Sequence, residues 1–244
     1  MGRRIAALAA PHQAPKPSCP ASPFLKWAGG KSQILRSILD RLPAKIDTYF
    51  EPFVGGGAVF FALANEGRFE RAVIADQNRA LVEVYVAIQR DVETVIEALR
   101  PLCARNDRAD FYKIRGEMPA SLAARAARMI FLNKTCFNGL WRVNSKGEFN
   151  VPFGDNAGAT ILDDELLRAV SFALKQTTVV EDDFERIARW ARPGDAVYFD
   201  PPYYPLTRTA NFTAYDRDRF GDAEHARLAH TMRELGRRKV SALL

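Results

Sequence analysis

The sequence predicts an α/β fold, a parallel sheet with helices on both faces, interrupted by a mostly helical insertion. Three observations predict it. Short β-branched and aromatic runs alternate with helically periodic segments up to about residue 100, the alternation lapses from 101 to about 175, and it then resumes to the end of the chain.

Residues 1–22 mix Ala, Pro and basic residues without a period and read as a disordered basic tail. From Lys31, apolar residues at Ile34, Leu35, Ile38, Leu39 and Leu42 follow helical spacing until Pro43 closes the run, which puts Lys31 at a helix start. Thr48 to Phe53 is a strand ending in a glycine cluster, and Ala58 to Ala64 is the helix after it. Arg71 to Ala75 is a second strand, followed by a helix marked by Leu81, Val84, Tyr85 and Ile88. Residues 101–175 hold helical pieces, one beginning after Ser121, and a polar loop from Asn138 to Gly158; this is the expected inserted domain. The strand Thr177 to Val180, the helix Phe184 to Trp190, the strand Ala196 to Phe199, the helix Asp222 to Leu235 and a strand opening at Val240 then complete a discontinuous core domain of residues 23–100 and 176–244.

Of the 244 residues, 48% are hydrophobic and 26% charged, enough for one substantial core or a core with a smaller appended domain. No apolar run nears a membrane span, and Ile5 to Ala10 is too short for a signal-peptide core behind Arg3 and Arg4, so a cytoplasmic, monomeric protein is expected. Cys19, Cys103 and Cys136 are odd in number and widely spaced, and His12, His225 and His230 lack ligand spacing; neither a disulfide framework nor a metal site is expected. The net charge of +6 is local: residues 101–150 carry nine Lys or Arg against four Asp or Glu, and residues 1–26 carry four against none. Two basic stretches suit a polyanionic partner through counterion release. Arginine-biased coding on a solvated surface accounts for the same charge.

Three motifs carry chemistry. Glu51-Pro52-Phe53-Val54-Gly55-Gly56-Gly57 lies where a strand gives way to a helix, and glycine there permits positive φ and close approach of backbone to a ligand. Asp76 ends the next strand, where an acidic side chain can take both hydroxyls of a ribose. A tight turn alone explains the glycines; the pairing with Asp76 favours a nucleotide-like ligand. Gly29-Gly30-Lys31-Ser32 invites a phosphate-loop reading, but Leu25 stands where glycine is needed and no strand precedes the run. Trp27 there offers a stacking face, and Lys31 a cation for a carboxylate. Asp200-Pro201-Pro202-Tyr203 follows an apolar strand. The prolines fix φ and lack N–H groups, so the turn is stiff, and the Asp200 carboxylate with the Pro201 carbonyl can accept both protons of an exocyclic amine. Tyr203 supplies a ring for a base; stacking contributes about 1–3 kcal/mol, barely offsetting extrusion from a duplex.

These residues resemble the DNA adenine methyltransferase family, the kind that modifies adenine within GATC. The resemblance runs from about residue 23 to 244 through FLKWAGGKS from Phe24, EPFVGGG from Glu51, Asp76, FNGLWRVNSKGEFNVPFG from Phe137, DDF from Asp182, DPPYYP from Asp200 and ANFTAY from Ala210. It implies a Rossmann-like methyltransferase sheet with an inserted target-recognition domain, and transfer of a methyl group from S-adenosyl-L-methionine to the N6 amine of adenine in double-stranded DNA. By this likeness Trp27, Lys31, Phe53, Asp76, Asp183 and Phe184 line the cofactor site beside Glu51, Gly55 and Gly57, while Asp200, Pro201, Pro202 and Tyr203 hold the target. It further implies that Leu140 and Arg142 read base edges, Phe137 wedges into the stack, Asn138 supports the opened backbone and Lys26 reaches DNA near the first recognised base. The family pattern continues with further strands past the helix ending near Leu235, so the sheet is expected to be incomplete at the C-terminus. Two rivals stand beside this reading: a catalytically impaired DNA-binding remnant, and an amino-methyltransferase for cytosine or RNA.

Overall fold

The computed structural model describes residues 17–31, 33–104, 107–154, 158–202 and 220–244. Its elements are α1 (Leu35–Leu39), β1 (Ile46–Glu51), α2 (Ala58–Glu66), β2 (Phe69–Asp76), α3 (Arg79–Arg90), α4 (Val92–Cys103), α5 (Arg108–Gly116), α6 (Leu122–Thr135), α7 (Asp164–Ala173), β3 (Thr177–Glu181), α8 (Phe184–Ala188), β4 (Ala196–Tyr198), α9 (Asp222–Arg237) and β5 (Ser241–Leu243).

The strands form one parallel sheet in the order β3-β2-β1-β4-β5. Successive side chains of a strand point to opposite faces, and each face here has its own core. Tyr49, Ala72, Ile74, Ala196 and Tyr198 pack under α1, α2, α3, α4, α6 and α7, whereas Phe50, Val73, Ala75, Val197 and Phe199 pack under α8 and α9. The sheet is therefore covered on both sides, as all-parallel sheets require. It winds outward from β1 in both directions, so the crevice between β1 and β4 is the switch point, the place where such sheets leave room for a ligand.

Five expectations change. Residues 17–22, assigned to the tail, pack onto the fold: Ala21 is buried, its N–H donates to Asn65 Oδ1 at 3.0 Å and its carbonyl accepts from Asn65 Nδ2 at 2.7 Å. Helix α1 starts at Leu35, not at Lys31, because Lys31 is held in a turn in which the Ile34 N–H donates to its carbonyl at 3.0 Å. A whole helix, α4, was not anticipated; Asp91 caps it by accepting from Thr94 N–H, and Val95, Ile96 and Leu99 bury its inner face. Residue 101, the expected edge of the insertion, falls inside α4. Finally, α6 contributes Ala126, Ala127, Ile130 and Phe131 to the same core as Tyr49 and Ile74, so the central helix of the 101–175 segment shares the core of the sheet.

Candidate active site

The register of the central strands brings three chain segments to one level. Glu51 pairs with Ile74, Phe50 with Val197 and Asp76 with Glu181, so Asp76, the loop after Glu51 and the turn after β4 lie side by side at the C-terminal edge. The loop is shaped by its glycines. Gly57 has φ +73°, and a Cβ there would lie 2.9 Å from both Phe61 Cε2 and the Tyr85 hydroxyl. Gly55 has φ +47°, and its Cβ would lie 2.8 Å from the ring of Trp27, which is seated on the loop. The Tyr85 hydroxyl donates to the Gly55 carbonyl at 3.0 Å and braces the turn from below.

Asp76 serves that loop as well as facing the crevice. Its Oδ2 accepts the Gly55 N–H at 3.1 Å and its Oδ1 the Asn78 N–H at 2.8 Å. Each carboxylate oxygen keeps a second lone pair for a ligand hydroxyl. Burial raises its pKa, against the pull of these backbone donors. Glu51 is almost wholly buried, its Oε2 accepts the Tyr49 hydroxyl at 2.7 Å, and burial together with the nearby Asp200 pushes its pKa up to about 8, partly opposed by Tyr49 and Lys31. Its carboxyl is thus packed inside the protein, within electrostatic reach of Asp200 and Lys31.

Asp200 directly follows β4 and is reached by Lys31 across the sheet edge. Lys31 Nζ lies 2.5 Å from Asp200 Oδ2 and donates to the Gly29 carbonyl at 2.7 Å, with the lysine side chain only 9% exposed. Sequence reasoning offered Lys31 a ligand carboxylate; the structure gives it the carboxylate of the turn. Beside this pair lies a cavity of about 530 Å³ lined by Lys31, Ile38, Tyr198, Asp200, Pro201 and Pro202 among others. Tyr203, with Ser32 and the run from Ala210, lies outside the described residues.

On the other side of the crevice an aromatic group closes around Phe53. Its ring stacks on Phe184 at 5.4 Å and meets Phe220 edge-on at 5.5 Å. Asp183 caps α8: its Oδ1 accepts the Glu185 N–H at 3.0 Å and pairs with Arg227 at 2.5 Å, and its Oδ2 accepts from Gln77 Nε2 at 3.2 Å. Arg227 also lies over the Phe184 ring at 4.9 Å. The sequence gives Tyr85 only as a helix marker and Tyr49 only as part of a strand, and it offers nothing to set Arg227 or Phe220 apart from ordinary helix and loop residues.

The run from Phe137 forms a separate projection. A 3₁₀ turn covers Phe137–Gly139, with Asn138 at φ 54° and Gly139 at φ +64°. Isolated antiparallel bridges, Cys136 to Phe153 and Val143 to Phe149, close the loop behind it. Phe137 and Leu140 stand 51% and 45% exposed although both are apolar, and Arg142 is also exposed, its Nε donating to Asn150 Oδ1 at 2.7 Å. Trp141 packs against Phe149 at a tilt of 37°, their ring centroids 4.7 Å apart. Lys26 runs alongside, its stem against Gly139. Among the described residues no cluster of three metal-binding side chains occurs, and no helix is long and apolar enough to cross a membrane.

Residues 27–244 match the family model described as D12 class N6 adenine-specific DNA methyltransferase. The chain is 42% identical to the type II methyltransferase M.MjaIII of Methanocaldococcus jannaschii, covering 91% of this chain and 83% of that protein. It is 38% identical to the type II methyltransferase M1.LlaDCHI of Lactococcus lactis subsp. cremoris, over 91% and 80%. It is 36% identical to the DNA adenine methylase of Escherichia coli K12, over 91% and 79%. The rival reading as a cytosine or RNA enzyme is overturned by this match, and that of an impaired remnant gains no support from it. The sheet, its loaded edge and likeness along nearly the whole chain together establish that the protein belongs to the D12 class of N6 adenine-specific DNA methyltransferases.

Proposed function

We propose that this enzyme takes its methyl group from S-adenosyl-L-methionine and places it on adenine N6 within GATC in double-stranded DNA. The observation that carries the reading is the convergence of the glycine loop, Asp76 and Asp200 on one crevice at the switch point of the sheet. The residues there fit such a cofactor. Asp76 keeps acceptor capacity for two ribose hydroxyls, Gly55 and Gly57 present bare backbone, and Phe53 with Phe184 forms an apolar wall for an adenine ring, with Asp183 at its edge. When bound, the cofactor supplies an electrophilic methyl group on a sulfonium.

The chain's own part is to position and polarise the amine. An arylamine is a poor nucleophile because its lone pair is shared with the ring. The Asp200 carboxylate and the Pro201 carbonyl accept its two protons, drawing the nitrogen towards tetrahedral geometry, and the stiffness of the Pro201-Pro202 turn holds those acceptors still. Lys31 fixes the Asp200 carboxylate from the far side. The proton lost from nitrogen leaves along its hydrogen bond to Asp200. No covalent enzyme intermediate is required.

Residues 101–175 act as the target-recognition part of the molecule. Phe137, apolar and exposed, wedges into the base stack, with Asn138 supporting the opened strand and Tyr203 stacking on the extruded base. Arg142 takes guanine bidentately and Leu140 contacts a thymine methyl group, each contact discriminating by about 1–3 kcal/mol, while Lys26 approaches the first base pair. The assignment of GATC rests on the resemblance of the run from Phe137 to Gly154. Tritiated methyl transfer onto duplexes with and without GATC, followed by identification of the modified nucleoside, tests donor, base and site together. N6-methyladenine confined to the GATC duplex is expected; methylcytosine, or equal labelling of both duplexes, refutes the reading.

A further inference from the structure

Asn133 is fully buried in α6, and its side-chain amide joins two segments that are distant in the sequence. Its Oδ1 accepts the Lys26 N–H at 2.8 Å, and its Nδ2 donates to the Lys26 carbonyl at 2.8 Å and to the Gly139 carbonyl at 2.9 Å. By pairing with both backbone groups of one residue, the carboxamide holds Lys26 as a strand neighbour would. A buried amide is tolerated only when satisfied, and an apolar residue on this helix face would fill the space without holding anything.

The two segments it joins meet again through packing. A Cβ on Gly139 would lie 2.5 Å from Lys26 Cβ, so the lysine stem lies flush on the turn that carries Phe137 and Leu140. One residue further, the Trp27 ring is seated on Gly55 and Gly56, and at the end of the same run Lys31 grips Asp200. Residues 26–31 thus touch the exposed turn at one end, the glycine loop in the middle and the methyl-transfer turn at the other.

We propose that Asn133 is a positioning residue that couples the recognition turn to the cofactor and catalytic loops through residues 26–31. The proposal rests on the reading of residues 137–142 as the DNA-reading turn. Seating that turn on its sequence fixes Gly139 and Lys26 together, which fixes Trp27 on the glycine loop and Lys31 on Asp200. Because coupling between two binding sites is reciprocal, cognate DNA tightens cofactor binding, and cofactor tightens cognate DNA by the same factor.

The test uses S-adenosylhomocysteine, which lacks a methyl group to transfer. Its affinity is measured without DNA, with a saturating GATC duplex and with a duplex lacking GATC, for wild type, Asn133→Asp and Gly139→Ala, alongside circular dichroism and tritiated methyl transfer. In wild type, the GATC duplex is expected to tighten binding about five-fold or more, and the other duplex not to. In N133D the carboxylate confronts two carbonyls, and the ratio falls to about one while affinity without DNA stays within about two-fold. A merely structural role for Asn133 moves both affinities together. G139A pushes the Lys26 stem off the turn and lowers the same ratio, and it decides the matter where N133D does not fold. A wild-type ratio of one, or a folded variant that keeps the wild-type ratio, overturns the coupling and leaves the proposed function intact; no methyl transfer by wild type to any adenine-containing duplex overturns both.

Discussion

Replacing Glu51 by Gln removes an ionisable group from beneath the glycine loop with almost no change of shape. Glu51 is 2% exposed, and burial is the first cause of a pKa raised from 4.5 to about 8. The native protein therefore holds a proton that the unfolded chain releases. Its contribution to stability is complete below pH 4.5 and is lost progressively as pH climbs to about 8. At about 1.4 kcal/mol per unit, the interval from pH 5 to pH 8 removes roughly 3 kcal/mol. Gln keeps an acceptor for the Tyr49 hydroxyl and never ionises, so E51Q is expected to exceed wild type by about 3 kcal/mol more at pH 8 than at pH 5. For a chain of this length that corresponds to a Tm difference of about 6–12 °C. Thermal unfolding of both proteins in matched buffers from pH 5 to 8, without cofactor, measures it. A stability difference that does not change with pH refutes a neutral Glu51 in the native state.

Asp200→Asn keeps the shape of the turn but presents an amide where an amine proton must be accepted; single-turnover methyl transfer is expected to fall about a hundredfold or more, while duplex binding by fluorescence anisotropy is retained. Phe137→Ala removes an exposed ring, so stability by urea unfolding should stay within about 0.5 kcal/mol. Its methylation of an intact duplex should drop more than its methylation of a duplex mismatched at the target adenine, where the base is already free to leave the stack; equal losses on both would remove the wedge role. Gly57→Ala combines φ +73° with contacts of 2.9 Å to Phe61 and the Tyr85 hydroxyl, and should cost about 1–3 kcal/mol in urea unfolding.

What could be read in advance was whatever is written locally. The strands around Thr48, Arg71, Thr177 and Ala196 announce themselves by β-branched and aromatic runs, and the turns at Gly55 and Pro201 by residues whose backbone chemistry is special. Helix α4 carries its own local signals, a cap at Asp91 and the helical spacing of Val95, Ile96 and Leu99, yet it follows α3 with no turn residue between them to mark a second helix. Tertiary partnerships left no such mark. Nothing periodic links Lys31, before α1, to Asp200, after β4, and Asn133 reads as one more polar residue on a helix. The motif that Glu51 opens gives its place at a strand end, but not its burial or the Tyr49 hydroxyl that it accepts. Residues 17–22 resembled a tail because Ala, Pro and Ser carry no signal of the Asn65 amide that anchors them.

The sheet joins strands that are unequally distant along the chain. Ile46 pairs with Phe69 across one short crossover, whereas Ala72 must wait for Thr177, and the whole helical segment is spanned in between. Such a long connection carries little entropic penalty, since each doubling of a flexible loop adds only about 0.6 kcal/mol. Substitutions are most easily accommodated at the tip of the connection, where Phe137, Leu140, Arg142 and Val143 are exposed. The helices beneath the tip share their interior with the strands and are not free to be exchanged.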